Sequence, residues 1–479
     1  MSHFDNMKML IGGHWRLGAA HHATILRNPA TEGELGEVPF ASDVDVDDAL
    51  DAADHGFKTW SRTSALERQG LMDRAASLMS DRRDSIANVL TQEMGKPLVE
   101  SRMEVEFAIS ATRWYGEEGR RAYGRLIPPR ARNMRHIVVK EPVGPVIAFS
   151  AWNFPATNVI RKVSGALAAG CSIIIKPSNE TPATCLELAR CFQDAGLPSG
   201  VLNVIFGEPD MVSRRLMASS IPKKVTLTGS TPVGKHLTRL AADTLKRCTM
   251  ELGGHAPVII ADDCDLEATL SATVAAKFRN AGQVCTSPTR FLVQEDVYTR
   301  FVNGFSERAA ALRVGNGLAN ETQMGPMFNK RRIAWINELI IDAQEKGAKV
   351  SSGGSQIGSK GSFYAPTVLS DVPNTCRAMN EEPFAPLALI SPFRKLDDAI
   401  EEANRLTFGL AAYGFTRSQA SALRIQSELH AGVIGVNQCV VSIPEAPFGG
   451  VNETGWGSEG GIEGLETFLR TKFVNELAI

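Results

Sequence analysis

Two segments hold the side chains best placed to do chemistry: Glu251-Leu252-Gly253-Gly254 and Asn280-Ala281-Gly282-Gln283-Val284-Cys285. Each sets one reactive group, a carboxylate or a thiol, among glycines and small residues. A thiol so placed can be approached closely by a substrate, and a carboxylate can take its proton or activate a water. That is the equipment for covalent catalysis at a carbonyl. A cysteine taken alone is more often a small buried hydrophobe. The pairing of the two segments is what makes Cys285 and Glu251 candidates.

Two other stretches invite phosphate. Gly229-Ser230-Thr231-Pro232-Val233-Gly234-Lys235-His236 follows an apolar run and opens a helix. It nearly spells a nucleotide-triphosphate loop, but His236 stands where a hydroxyl for Mg²⁺ is required. A glycine-opened helix start still attracts phosphate through free N–H groups and the dipole, so pyrophosphate binding survives the loss of the NTPase reading. Gly455-Trp456-Gly457-Ser458-Glu459-Gly460 matches the dinucleotide fingerprint by letter. No convincing strand leads into it, and too little chain follows for a unit of about thirty residues, so it reads as a glycine-rich loop.

The elements that must position these groups alternate regularly. Met9–Trp15 suggests a hairpin around its glycine pair. From Val44 to about Gly119 the apolar positions recur at helical spacing, as in Leu71, Ala75 and Leu78. The pair Pro128-Pro129 then marks an extended arm. From Val143 a strand–helix alternation begins: Val143–Phe149, a helix over roughly 157–169 ending at Gly170, Cys171–Ile175, and a helix entered at Thr181-Pro182 with proline at its first position. Val201–Phe206, Lys224–Thr228 and Arg247–Met250 follow, again separated by helices. Continuous apolar strands between helices mean a parallel sheet covered on both faces, which binds ligands at the carboxyl ends of its strands. The pattern restarts at Pro257–Ile260 with a long helix towards Arg279. Phe468–Ile479 reads as a terminal strand in need of an edge, which hints at a sheet shared between subunits.

A chain of 479 residues holds about three units on a prior of ~150 residues each. A formal charge of −2 leaves no footprint for nucleic acid or an anionic membrane surface. No apolar run reaches membrane-spanning length, and the first residues contain no signal-peptide core. Eight cysteines without CxxC spacing suit a reducing compartment, and nine histidines without HExxH give a metal site no support. A cytoplasmic enzyme without metal is expected.

Glu251-Leu-Gly-Gly followed by Gly282-Gln-x-Cys285 resembles the active-site signatures of the NAD(P)-dependent aldehyde dehydrogenases, and the resemblance extends from about Asn28 to the terminal strand. It implies an α/β fold with a Rossmann-like cofactor domain (1–119 and 141–253), a second α/β catalytic domain (254–461) and an oligomerisation β-arm (120–140 and 462–479). Trp152-Asn153-Phe154-Pro155 resembles the oxyanion segment, with Ala151 in place of the usual proline. Asn153 and the Cys285 N–H would then be the oxyanion donors, and Trp152 would border the cofactor. Lys176-Pro177 looks like the adenosine-ribose site. The family often has glutamate three residues on; here Asn179 stands there, with Glu180 beside it. Asparagine does not repel a 2′-phosphate, so NADP⁺ is at least tolerated alongside NAD⁺. Gly229 and Ser230 match the pyrophosphate turn, and Glu382 and Phe384 the nicotinamide-ribose segment, with Ala385 for the usual glycine. Phe448, in Pro447-Phe-Gly-Gly450, is expected to line the substrate pocket.

The chain also resembles the semialdehyde dehydrogenases, for succinate, glutarate or 2-oxoglutarate semialdehyde, at Arg161, Arg279 and Ser442. Two arginines bracketing one site suit a carboxylate, which guanidinium binds bidentately; their ordinary reading is a surface ion pair. Asn158 adds a hydrogen bond to the substrate, and Ser287 removes the second cysteine on which a local disulfide switch would depend. A neutral aldehyde remains an alternative substrate. A non-catalytic dinucleotide-binding relative would have no need of Cys285, Glu251 and Asn153 together. The partners implied are a small aldehyde and further copies of the chain, as a homodimer or homotetramer.

Overall fold

Runs of β-branched and aliphatic residues too short to make helices become the inner strands of a parallel sheet. In the computed structural model, which describes residues 3–5, 7–20 and 22–477, Val146–Phe149, Ile173–Lys176, Leu202–Val204, Lys224–Thr228 and Arg247–Glu251 pair in parallel. Ile173, Ile174 and Ile175 are fully buried, and each stabilises the sheet by roughly 1.5–3 kcal/mol. Eight strands complete this sheet in the order His14–Arg16, Met9–Ile11, Leu202–Val204, Ile173–Lys176, Val146–Phe149, Lys224–Thr228, Arg247–Glu251, Gly455–Trp456. The outer strands join antiparallel. The first parallel strand in the chain, Val146–Phe149, lies mid-sheet with its successors on both sides. A crevice opens at the carboxyl ends where the strand order reverses.

A second sheet of seven strands runs Lys349–Ser352, Thr367–Ser370, Leu387–Phe393, Pro288–Gln294, Ala256–Ile260, Ala411–Phe415, Val433–Val436. All its pairings are parallel except that of Lys349–Ser352. It has its own buried cluster around Phe291, Phe301 and Phe305. The helices Asp43–Trp60, Ala65–Asp81, Arg83–Met94 and Leu98–Gly119 pack into the core of the first sheet. Ser42 and Ser64 start the first two with capping boxes to Asp45 and Glu67. Among the described residues no helix is long and apolar enough to cross a membrane.

Most of the expected elements form where the sequence puts them, including the hairpin at Met9, the helix Thr157–Ala169 with left-handed Gly170 after it, and the helix Leu266–Phe278. Three points differ. The terminal strand Leu469–Leu477 finds its edge within its own chain, pairing antiparallel along its whole length with Met134–Pro142. Its need for a partner therefore carries no argument for a second subunit; Ala478 and Ile479 lie outside the described residues. Gly455–Trp456, expected as loop, forms an antiparallel edge on Arg247–Glu251, so part of the stretch 254–461 returns to the first sheet. Pro182 stands one position earlier than expected, as N-cap of the helix Ala183–Asp194.

Candidate active site

A cleft of about 840 Å³ runs along the carboxyl ends of the first sheet, and its wall includes Trp152, Asn153, Lys176, Gly229, Glu251, Cys285, Glu382 and Phe448. Backbone from four successive strand ends meets there, as expected at a point where strand order reverses.

Cys285 follows the tight turn Arg279–Gly282, in which Asn280, Ala281 and Gly282 all take left-handed φ of 50°, 52° and 70°. Two non-glycine residues in that region store strain that the surroundings must hold. Glu100 accepts from Asn280 N at 2.9 Å, and Asn280 Nδ2 donates to the carbonyls of Asn153 at 3.0 Å and Gln283 at 3.2 Å. Gly282 is required by space as well as by φ, because a Cβ there would lie 2.0 Å from the Ala385 carbonyl. The thiol sits partly exposed at the cleft floor. Burial pushes it up to about 12, aided by the Glu382 and Glu251 charges and opposed by Arg161 and Arg279.

Asn153 is buried, donating from Nδ2 to the Gln283 carbonyl at 3.1 Å and accepting at Oδ1 from Asn158 Nδ2 at 3.3 Å. One amide hydrogen of Asn153 is thus spent on orientation, and among the described residues neither the other nor the Cys285 N–H meets an acceptor. Its loop is held from beneath. Lys96 donates to the Asn153 carbonyl at 2.9 Å and to Glu104 at 2.6 Å, while Glu104 accepts from the first backbone N–H groups of the next helix, Ala156 at 2.9 Å and Thr157 at 3.0 Å. Glu93 does the same for Ala183 and Thr184 at 2.8 and 2.9 Å. Carboxylates of the helical layer therefore cap the helices that carry the site, completing N–H groups that Ala156 and Pro182 cannot.

Glu251 ends its strand 3% exposed, and neither of its carboxylate oxygens is hydrogen-bonded among the described residues. Burial raises its pKa well above the ordinary carboxylate range, and Glu459 adds to this while Lys162 and Arg161 oppose it. Glu459 belongs to the glycine-rich segment whose fingerprint is coincidental. It makes a short ion pair with Lys162, which also donates to Thr228 Oγ1 at 2.5 Å. Sequence reasoning missed both. The available signal was Arg161-Lys162 in the otherwise apolar stretch Asn158–Ala169: two cations in a buried helix require a buried acid.

Arg161 is 4% exposed, donating to Ser442 Oγ at 2.5 Å with its guanidinium 4.2 Å from the Phe448 ring centroid. Its Nη1 lies 3.9 Å from Glu459 Oε2, and among the described residues its Nε has no hydrogen-bond partner. Arg161, Ser442 and Phe448 are therefore together. Arg279 is not with them: its side chain is exposed, outside the cleft wall, over the Phe154 ring at 5.3 Å. The bracketing expected of the two arginines holds only electrostatically, since both charges act on Cys285. Asn158 lines the cleft and spends its amide on Asn153 and the Ala151 carbonyl. Ser287 accepts from the buried Lys277 at 3.0 Å.

At the far end of the cleft, Lys176 donates to Asn179 Oδ1 at 3.1 Å, and Asn179 Nδ2 donates to the Gly207 carbonyl at 2.8 Å. Burial lowers the Lys176 ammonium to about 8, opposed by Glu208 and Glu180. Gly229 and the exposed Ser230 precede the helix Thr231–Ala242, whose start has no side-chain cap, leaving N–H groups for an anion. Lys235 of the P-loop-like stretch instead pairs with Glu453 at 2.7 Å on the surface. Glu382 accepts from Gly254 N at 3.2 Å and is pushed up to about 7, chiefly by burial. A Cβ on Gly253 would lie 2.7 Å from it. Trp152 stacks on Phe328 at 4.4 Å and meets Phe384 edge-on at 5.6 Å. These groups fit a dinucleotide: a ribose-sized polar end, an uncapped helix start for pyrophosphate and a half-buried carboxylate beyond it.

A parallel-sheet crevice leading to a thiol, an unpaired carboxylate and spare amide donors defines an oxidoreductase acting on a carbonyl carbon. Residues 15–474 match the aldehyde dehydrogenase family. The chain belongs to that family and is an oxidoreductase of that type. It is 47% identical over 471 residues to the 4-(hydroxymethyl)benzenesulfonate dehydrogenase TsaD1 of Comamonas testosteroni, covering 98% of each. It is 38% identical over 473 residues to the NADP⁺ succinate-semialdehyde dehydrogenase GabD of Escherichia coli K12, covering 99% of this chain and 98% of that one. The crystal structure of succinate-semialdehyde dehydrogenase from Burkholderia pseudomallei superposes with a TM-score of 0.97 at 37% identity, covering 98% of each chain.

Proposed function

We propose that this aldehyde dehydrogenase oxidises an aldehyde with an anionic far end, in the first place a carboxylate-bearing semialdehyde such as succinate semialdehyde. The observation that carries the reading is Arg161, a buried guanidinium in the cleft wall with one N–H unpaired, held by Ser442 and stacked on Phe448. A buried cation without a full complement of acceptors is costly unless a ligand supplies them. Ser442 accepts from Arg161, so its own hydroxyl hydrogen is free for the same ligand.

The chemistry at the other end follows from the residues. Cys285 gives its proton to solvent and reacts as the thiolate, which the Arg161 and Arg279 charges favour, while Glu251, whose burial makes it a stronger base than an exposed carboxylate, stays ionised for the later hydrolysis. The thiolate adds to the aldehyde carbon, and the free amide hydrogen of Asn153 with the Cys285 N–H meets the oxyanion. Lys176, Asn179, Gly229, Ser230, Glu382 and Phe384, beside Trp152, would hold NAD(P)⁺, which would supply the hydride acceptor needed to oxidise the adduct to a thioester. Glu251 then takes a proton from water, and the hydroxide releases the acid. Lys162 and Glu459 keep a compensated charge pair beside Glu251 as it changes protonation. Asn179 carries no charge to repel a 2′-phosphate, so NADP⁺ is at least tolerated alongside NAD⁺. We further assign residues 1–119 and 141–253 to cofactor binding, 254–461 to catalysis and the arm 120–140 with 462–479 to a homodimer or homotetramer contact. Exposed Tyr123, Leu126 and Phe473 support that contact.

A sulfonate-bearing aldehyde is the second reading. The relative at 47% identity carries a sulfonate in its name, and guanidinium with hydroxyl donors serves three sulfonate oxygens as well as two carboxylate ones. Comparing kcat/KM for succinate semialdehyde, 4-sulfobenzaldehyde and butanal tests both. An anionic substrate should exceed butanal by ~10–100-fold, the worth of one charge-assisted hydrogen bond. Equal values for all three would sink both readings.

A further inference from the structure

The helix Lys330–Glu345 starts with three cations, Lys330, Arg331 and Arg332, although a helix N-terminus favours anions. Lys330 pairs with Glu32 at 2.9 Å and Arg331 reaches Glu180 at 3.7 Å. Arg332 forms no ion pair among the described residues. Its Nη2 donates to two backbone carbonyls instead, Pro383 at 2.7 Å and Phe384 at 3.2 Å, and the guanidinium lines the cleft beside Glu382. Its backbone is anchored in turn, because Asn329 Oδ1 accepts from Arg332 N at 3.2 Å.

The turn so gripped is strained. Phe384 has φ of 46°, a conformation that a bulky residue keeps only where its surroundings over-determine it. One constraint is the bond from Gly254 N to Glu382. Another is the packing of the Ala385 carbonyl against Gly282, at the turn that presents Cys285. Arg332 supplies the remaining one, fixing both carbonyls between these points. A planar guanidinium holds such a pair with less ordering than a lysine or an amide can.

We propose that Arg332 is a positioning residue for the dinucleotide. It holds the Glu382–Phe384 turn in its left-handed conformation against the nucleophile turn, and thereby sets how firmly the nicotinamide half is held beside Cys285. The inference rests on the reading that Glu382 and Phe384 meet the nicotinamide ribose. Arg332 touches no reacting atom, so acyl chemistry at Cys285 that needs no cofactor is independent of it.

The test compares Arg332→Ala, Arg332→Gln and Glu382→Gln in the full-length enzyme. NADP⁺ and NAD⁺ binding is followed by tryptophan fluorescence, and formation of reduced cofactor in a single turnover. p-Nitrophenyl acetate hydrolysis, which acylates Cys285 without a cofactor, is measured alongside. Arg332→Ala should weaken cofactor binding and slow the single turnover by ~10-fold each, the effect of losing one charged hydrogen-bonding group. Ester hydrolysis should stay within about two-fold of the parent. Arg332→Gln, which keeps the reach and an amide donor, should fall between and decides the matter if the alanine variant does not fold. Unchanged cofactor binding in both Arg332 variants, with Glu382→Gln impaired, overturns the role of Arg332 alone. Unchanged binding in all three overturns the ribose reading beneath it. Loss of ester hydrolysis in step with cofactor binding makes Arg332 general scaffold and also overturns the proposal.

Discussion

The two ends of the cleft differ in how their polar groups are spent. At the adenosine end, Lys176, Asn179 and Gly207 satisfy one another. At the acyl end, among the described residues, both oxygens of Glu251 and Nε of Arg161 are buried without partners, while along the cofactor wall only Ser150 Oγ and Arg332 Nε are so left. Leaving a buried donor or acceptor unpaired costs about 1–3 kcal/mol each, and more when it is charged. A fold keeps such groups where a ligand or a reaction completes them. The acyl end is thus where bond-making is concentrated, and the adenosine end is a preformed dock. Substitutions should have large effects at the first and graded ones at the second.

Cys285→Ser should show the largest effect. A serine hydroxyl there is far harder to ionise than the thiol, so turnover should drop below ~0.1% of the parent while cofactor binding stays intact. Substantial dehydrogenase activity in this variant would remove the nucleophile from Cys285. Arg161→Ala comes next, with a ~10–100-fold loss in kcat/KM for succinate semialdehyde and a much smaller loss for butanal once the pH is high enough to ionise Cys285 and Glu251. Arg279→Ala should cost less, because its side chain is exposed and screened. Equal losses on both aldehydes would mean that Arg161 supports the scaffold and binds no anion.

Acidity sharpens the same contrast. Arg161 lowers the pKa of both Cys285 and Glu251. Removing that cation raises both, so the ionised forms appear only at higher pH. The pre-steady-state rate of Arg161→Ala with butanal should therefore rise with pH later than in the parent enzyme. A limb at unchanged pH would separate Arg161 from the ionisations. The smallest effect is expected at the dock: Asn179→Glu should shift the ratio of kcat/KM towards NAD⁺ by ~3–10-fold, through repulsion of a 2′-phosphate. Burial of Lys176 beside Glu180 and Glu208 already limits how strongly that end can favour phosphate.

What the sequence disclosed follows the same division. Strands such as Lys224–Thr228 and the helix Thr157–Ala169 were legible because period and end signals are local. Cys285, Glu251 and Asn153 were legible through their neighbours in short words. Glu459 was not, because its meaning lies in a contact with Lys162 nearly three hundred residues away. Glu93, Glu100 and Glu104 were equally hidden: on a helical pattern they look like solvated carboxylates, and only tertiary packing turns them onto backbone N–H groups. The same holds for Arg279, whose spacing from Cys285 says nothing of which way its side chain leaves the turn, and for Asn280 and Phe384, left-handed without being glycine.

The central claim is a thioester on Cys285 that Glu251 hydrolyses, and trapping it tests that claim most directly. Glu251→Gln, mixed with succinate semialdehyde and NADP⁺ and quenched in acid, should be digested and its cysteine peptides weighed. The account predicts a succinyl adduct on the peptide holding Cys285, formed with a burst of reduced cofactor and persisting because its hydrolysis is slowed. A burst with no adduct, or an adduct on any of the other cysteines, would contradict it.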